Sequence, residues 1–155
     1  MKCMGVILIA LAGAFAVVAQ DTQNGPAAQN DRFVGTWKLN VAKSKFSPGP
    51  ALKDETVTIA PDKVTVEEVT GDGKTSTWSY TPSPGATATI TGLENSSVME
   101  KKVNDNTIEH TWKMGNSTMQ GKGVLSKYGK KMTYTLTGTN QEGKAVHNVL
   151  IFEKQ

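Results

Sequence analysis

From Phe33 to Lys154 apolar and polar residues alternate in short runs, and turn residues interrupt the runs at close intervals. Trp37, Leu39 and Val41 share one side of the first run. Ile108, His110, Trp112 and Met114 share a side, backed by Thr107, Glu109, Thr111 and Lys113. Met132, Tyr134 and Leu136 are backed in the same way by Thr133, Thr135 and Thr137. A period of two is that of a strand with one dry face and one wet face. Read along the chain, the pattern predicts strands over Phe33–Val41, Glu55–Ala60, Lys63–Thr70, Thr75–Thr81, Ala86–Thr91, Ser97–Val103, Thr107–Met114, Ser117–Ser126, Met132–Thr139 and Ala145–Lys154. Between them lie turn signals such as Gly71-Asp72-Gly73-Lys74, which supplies the positive-φ residues of a tight hairpin. No segment keeps a helical period over three turns.

Short links favour antiparallel pairing of neighbours, so the strands form an up-and-down meander. A long meander without covering helices has two exposed edges, and closing it removes them. The last run, Val149 to Phe152, is apolar on both faces, which suits a strand buried by closure. The expected fold is all-β: an antiparallel meander closed into a barrel of about 8–10 strands, with its domain over residues 33–155.

The residues ahead of the barrel have a different character. Met1 to Ala19 has a basic start at Lys2, an apolar run from Gly5 to Val18 and small residues at its end. This is the form of a signal peptide over residues 1–19 cleaved before Gln20, and it predicts a secreted or periplasmic protein. Gln20 to Arg32 is polar and reads as a flexible lead-in. Cys3 is the only cysteine and falls within the leader, so the exported chain has no disulfide and relies on its core. Charge adds little. The chain has 17 Lys and Arg against 14 Asp and Glu, and Lys2 leaves with the leader. The lysine clusters at 101–102 and 127–131 have no interleaved aromatics, so they read as a solvated rim and not as a nucleic-acid platform.

The phrase Phe33-Val34-Gly35-Thr36-Trp37-Lys38-Leu39 resembles the opening of the fatty-acid-binding proteins and the Gly-x-Trp signature of lipocalins, both calycin-type barrels. The closing Phe152-Glu153-Lys154 resembles the end of the fatty-acid-binding family, and the stretch around Trp112 resembles its late-strand tryptophan pattern. The resemblance implies a lipocalin-like barrel in which Gly35 permits a tight bend and Trp37 plugs the base. It also implies a basic residue over Trp37, for which Lys122, Lys144 and Lys154 are candidates. Two departures stand out. The segment Ala42 to Asp54 is too short and too Pro-rich for the family's helical lid. Leu150 and Phe152 occupy the positions of the family's Arg and Tyr carboxylate clamp, and Arg32, the only arginine, precedes the barrel.

No catalytic, metal or cofactor motif emerges. The chain's two histidines, His110 and His147, do not make a zinc site without further ligands, and no Gly-x-Ser-x-Gly elbow is present. Glu67 and Glu68 are adjacent on one strand and so point to opposite faces. The expectation is therefore a non-enzymatic, cofactor-free binding protein for a small apolar or amphipathic molecule. Trp78, Tyr80, His110, Trp112, Tyr134 and Asn148 would line its cavity, and Met114, Met119 and Met132 would lie on inner faces. Any charged end of a ligand would stay at the mouth, near Lys127, Lys130 and Lys131. The other reading is a barrel that binds another protein, as periplasmic protease inhibitors do. Neither reading involves nucleic acid, and neither leaves the exported chain inserted in a membrane.

Overall fold

The computed structural model describes residues 31–155; the leader over 1–19 and residues 20–30 of the lead-in lie outside the described residues. Ten strands follow in order: β1 (Gly35–Leu39), β2 (Asp54–Ile59), β3 (Val64–Val69), β4 (Thr75–Tyr80), β5 (Thr87–Thr89), β6 (Ser96–Asn104), β7 (Thr107–Met114), β8 (Ser117–Leu125), β9 (Lys131–Thr139) and β10 (Ala145–Lys154). They form one antiparallel sheet in the order β4-β3-β2-β1-β10-β9-β8-β7-β6-β5. Every link but one joins strands adjacent in sequence. The exception is β1 with β10, registered at Trp37 with Lys154 and Leu39 with Phe152.

The sheet therefore rolls into a nearly closed, ten-stranded, up-and-down barrel, and no α-helix occurs among the described residues. Its terminal strands meet only at the bridge between Ser79 and Thr91, whose backbones exchange two hydrogen bonds of 2.9 and 2.8 Å. That bridge explains why β5 is shorter than the alternation predicts. Ile90 still donates its N–H to the Ser96 carbonyl of β6 at 3.1 Å, and beyond it the chain crosses to β4.

The first strand also ends early, at Leu39 instead of Val41. A single 3₁₀ turn over Val41–Lys43 follows, with the Asn40 side chain accepting the Lys43 N–H at 3.1 Å. Ser44 Oγ accepts the Ile151 N–H, and Lys45 then resumes pairing with Val149. The detour thus costs β10 few hydrogen bonds. After it, Phe46, Pro50 and Leu52 pass over the barrel end and border its interior.

Opposite that end is the base, where the chain enters at Phe33 and leaves at Lys154. Trp37 is fully buried there and donates its indole N–H to the Phe33 carbonyl at 2.7 Å. Lys154 Nζ lies 5.1 Å from the Trp37 ring centre, and it donates to the Arg32 carbonyl at 3.0 Å. Of the three lysines expected as candidates, Lys154 takes this place. Lys122 pairs with Glu109 and Lys144 with Glu142. Gly35 has φ +138°, and a Cβ there would collide with the Lys154 stem. Both the bend and the cation over the ring thus depend on its missing side chain. Arg32, the last residue of the expected lead-in, is tied down: its guanidinium donates to the Lys127 carbonyl at 2.7 Å and to Asn106.

Around the plug, Phe33, Leu39, Leu125, Met132, Leu150 and Phe152 form one buried cluster. Val64, Val66, Trp78, Tyr80, Ile90, Val98 and Trp112 form a second. Trp37→Ala should lower stability by about 3–5 kcal/mol, the usual cost of deleting a core aromatic. Denaturant melts measure it, and a loss below about 1 kcal/mol would mean that Trp37 does not hold the base together.

Candidate functional site

The two clusters do not fill the barrel. Between them lies a cavity of about 510 Å³, lined mostly by apolar side chains. It runs from Pro50, exposed at one end, to Pro61 and Pro84, exposed at the other. All six residues expected on the wall, Trp78, Tyr80, His110, Trp112, Tyr134 and Asn148, border it. The reason is register. Tyr80 and Trp78 stand opposite Val64 and Val66, while Trp112 stands opposite Val98 and Met119, so the period-two faces align across neighbouring strands. Met114, Met119 and Met132 also line the cavity, whereas Met99 is exposed.

Four of the six wall residues form one polar and aromatic group. Trp112 Nε1 donates to Tyr134 Oη at 2.7 Å. Tyr134 Oη is 3.2 Å from His110 Nδ1. His110 Nε2 is 3.4 Å from Glu100 Oε2, to which Tyr80 also donates at 3.2 Å. With His110 as the Nε2–H tautomer, all protons run one way, from Trp112 through Tyr134 and His110 to Glu100. Each donor and acceptor in this chain is then matched, as a buried polar group requires. Burial pushes the Tyr80 and Tyr134 hydroxyls well above the usual phenol range, aided at Tyr80 by the nearby Glu100 charge. Both therefore remain O–H donors. The rings stack as well: His110 lies 5.2 Å from Trp112, nearly parallel, and Trp78 meets Trp112 edge-on at 5.7 Å.

Space for this group comes from Gly121 on β8. A Cβ at that position would collide with the Tyr134 hydroxyl and crowd the Trp112 indole nitrogen. Asn148 stands apart from the group and accepts the Ser47 N–H at 2.9 Å, fastening the crossing segment to β10.

The acids on the wall were not anticipated, among them Glu55, Glu68 and Glu100 on the strands. Alternation could have found them. Glu55 is in phase with Val57 and Ile59, Glu68 with Val64 and Val66, and Glu100 with Ser96 and Val98. Glu67 and Glu68 do point to opposite faces, but Glu68 has a different acidic neighbour, since Glu55 is its cross-strand partner. The lysines expected at the mouth are also placed otherwise. Lys127, Lys130 and Lys131 belong to the loop and strand start beside Arg32 and Lys154, and none borders the cavity. Leu150 and Phe152, in the clamp positions of the fatty-acid-binding proteins, are buried and face inward. No protein-family model matches this chain, and no curated protein matches it significantly in sequence.

The group can be tested by removing one atom. Tyr134→Phe strands the Trp112 N–H and the His110 Nδ1 and should cost about 1–3 kcal/mol in denaturant melts. Glu55 gives a second test. Burial, and next the facing Glu68, push its carboxyl up to about 8 from 4.5. The folded state therefore holds this proton more tightly than the unfolded chain does. The stability it confers is complete below pH 4.5, falls as pH rises to about 8, and is level beyond. Between pH 4.5 and 8.5 wild type should lose on the order of 2 kcal/mol more than Glu55→Gln, less than the full shift implies because the half-buried carboxyl is partly screened by solvent.

Proposed function

We propose that this protein is an exported, lipocalin-like carrier that binds a small apolar or amphipathic molecule inside its barrel. The observation that supports the reading is the cavity itself: about 510 Å³, mostly apolar, with a few convergent polar groups. Ligand sites typically occupy about 300–1,000 Å³ and have this kind of lining. The Gly35-Thr36-Trp37 plug with Lys154 over its ring is what the calycin resemblance leads one to expect at the base of such a carrier. Trp78, Trp112 and Leu136 would take the apolar body of the ligand, and the Tyr80–His110–Tyr134 group would orient it.

The ligand does not present a buried carboxylate. Neither lysine nor arginine borders the cavity among the described residues, and the clamp positions hold Leu150 and Phe152. A carboxylate taken from water into such a site without a partner costs several kcal/mol.

Displacement of a neutral fluorescent apolar probe such as Nile red checks both points. The probe should bind, and a long-chain alcohol or methyl ester should displace it at least as well as the corresponding fatty acid. A tenfold preference for the acid, about 1.4 kcal/mol, would require an internal cation that the reading denies. Absence of any probe binding would favour the protein-binding barrel over the carrier.

A further inference from the structure

The cavity carries more acid than an apolar carrier needs. Four carboxyl groups border it: Asp31, Glu55, Glu68 and Glu100. Three have partners. Asp31 Oδ2 is 3.1 Å from Lys102 Nζ. Glu68 accepts from Ser76 Oγ at 2.7 Å, and Glu100 accepts from Tyr80. Glu55 is half-buried on the cavity wall and has neither a hydrogen bond nor an ion pair among the described residues. Register puts it directly across from Glu68, and both side chains face inward. An unpartnered carboxyl beside a second acid, aimed into a chamber bordered by no cation, is an expensive arrangement for a structural core. A valine at the same phase of β2, as at Val57, would avoid the cost.

Resting on the carrier reading, we infer that Glu55 and Glu68 receive the polar end of the ligand, and that this end is a protonated amine on an apolar body. An ammonium has three donors and no acceptor, and it can satisfy Glu55 while also meeting Glu68. The pair converts from a protonated Glu55 beside Glu68 to two carboxylates around one ammonium. Proton balance follows. Glu55, held protonated in the empty barrel up to about pH 8, gives its proton to solvent when the ammonium arrives. The groups that act on Glu55 are Glu68 from β3 and Asp54 from its own strand, itself paired with Lys38; its own charge reaches Tyr134 on β9. None of these supplies a competing cation inside the cavity. An alcohol leaves Glu55 protonated and releases nothing. A fatty acid adds a carboxylate to a chamber that already has four carboxyl groups.

The test uses the purified protein, Nile red, and three competitors of one chain length: decylamine, decanol and decanoic acid. The amine should displace the probe at a concentration about tenfold below that of the alcohol, with the acid weakest. Glu55→Gln should erase the amine's advantage over the alcohol, with folding checked by circular dichroism. Calorimetry at pH 6.5 in two buffers of different ionisation enthalpy should show release of about one proton per amine by wild type, and none by Glu55→Gln. Equal displacement by amine and alcohol overturns the inference and leaves the carrier standing. So does an amine preference that survives both Glu55→Gln and Glu68→Gln. Failure of the probe and all three competitors to bind overturns the carrier reading and this inference together.

Discussion

Pairing of the first strand with the last turns ten hairpin-linked strands into a chamber. Only that contact is non-local in the order of the sheet, and it closes the largest loop in the chain. It is correspondingly well built. Trp37, Lys154 and the Arg32 carbonyl meet at its lower end, and Leu39 and Phe152 lie directly opposite each other above them. Once β1 lies against β10, every strand has an inside and an outside, and a one-residue slip would exchange the two. The cavity wall is thus a consequence of register, held by the plug and the apolar cluster around it. The opposite seam has a single backbone bridge, at Ser79 and Thr91, and is held by side chains instead: Tyr80 on β4 donates to Glu100 on β6, and Trp78 on β4 packs edge-on against Trp112 on β7.

The interior is divided between two ways of handling polarity. On the β6–β9 side, Trp112, Tyr134, His110 and Glu100 satisfy one another, joined by Tyr80 from β4, and the missing side chain of Gly121 makes the room. A fully matched network of this kind stiffens a wall. On the β2–β3 side the same low dielectric works against the fold. Glu55 and Glu68 are paired by register and not by chemistry, and burial keeps the proton on Glu55 to about pH 8. The first arrangement matches its donors and acceptors within the protein, whereas the second leaves the Glu55 carboxyl without a protein partner among the described residues.

Much of this is legible in the sequence itself. Alternation located all ten strands, and it put Trp78, Tyr80, His110, Trp112 and Tyr134 on the dry face because large aromatics make the period-two signal unmistakable. Strand ends were less legible. Val41 continues the apolar phase of Trp37 and Leu39, yet Asn40 and Ser44 offer side-chain hydrogen bonds that stabilise a turn, and these override the pattern. The acids were missed for a related reason. A glutamate on a strand is ordinarily read as marking the wet side, so Glu55, Glu68 and Glu100 were passed over even though their phase places them inside. The choice of Lys154 over Lys122 and Lys144 required the β1–β10 register, which no local window contains.

The distribution of charge then has a consistent sense. On the outer surface, lysines meet carboxylates: Lys38 with Asp54, Lys43 with Glu153, Lys122 with Glu109. These pairs are largely solvated and contribute little to stability individually. Inside, carboxyl groups border the cavity and basic side chains do not, among the described residues. A barrel selected only for stability would gain from the reverse, since outer charges cost little and inner ones cost much. The asymmetry makes the chamber unfavourable to anions twice over, by the apolar side chains of Leu150 and Phe152 and by the acids on the same wall. In such a chamber a neutral or cationic group meets a smaller electrostatic cost than an anionic one.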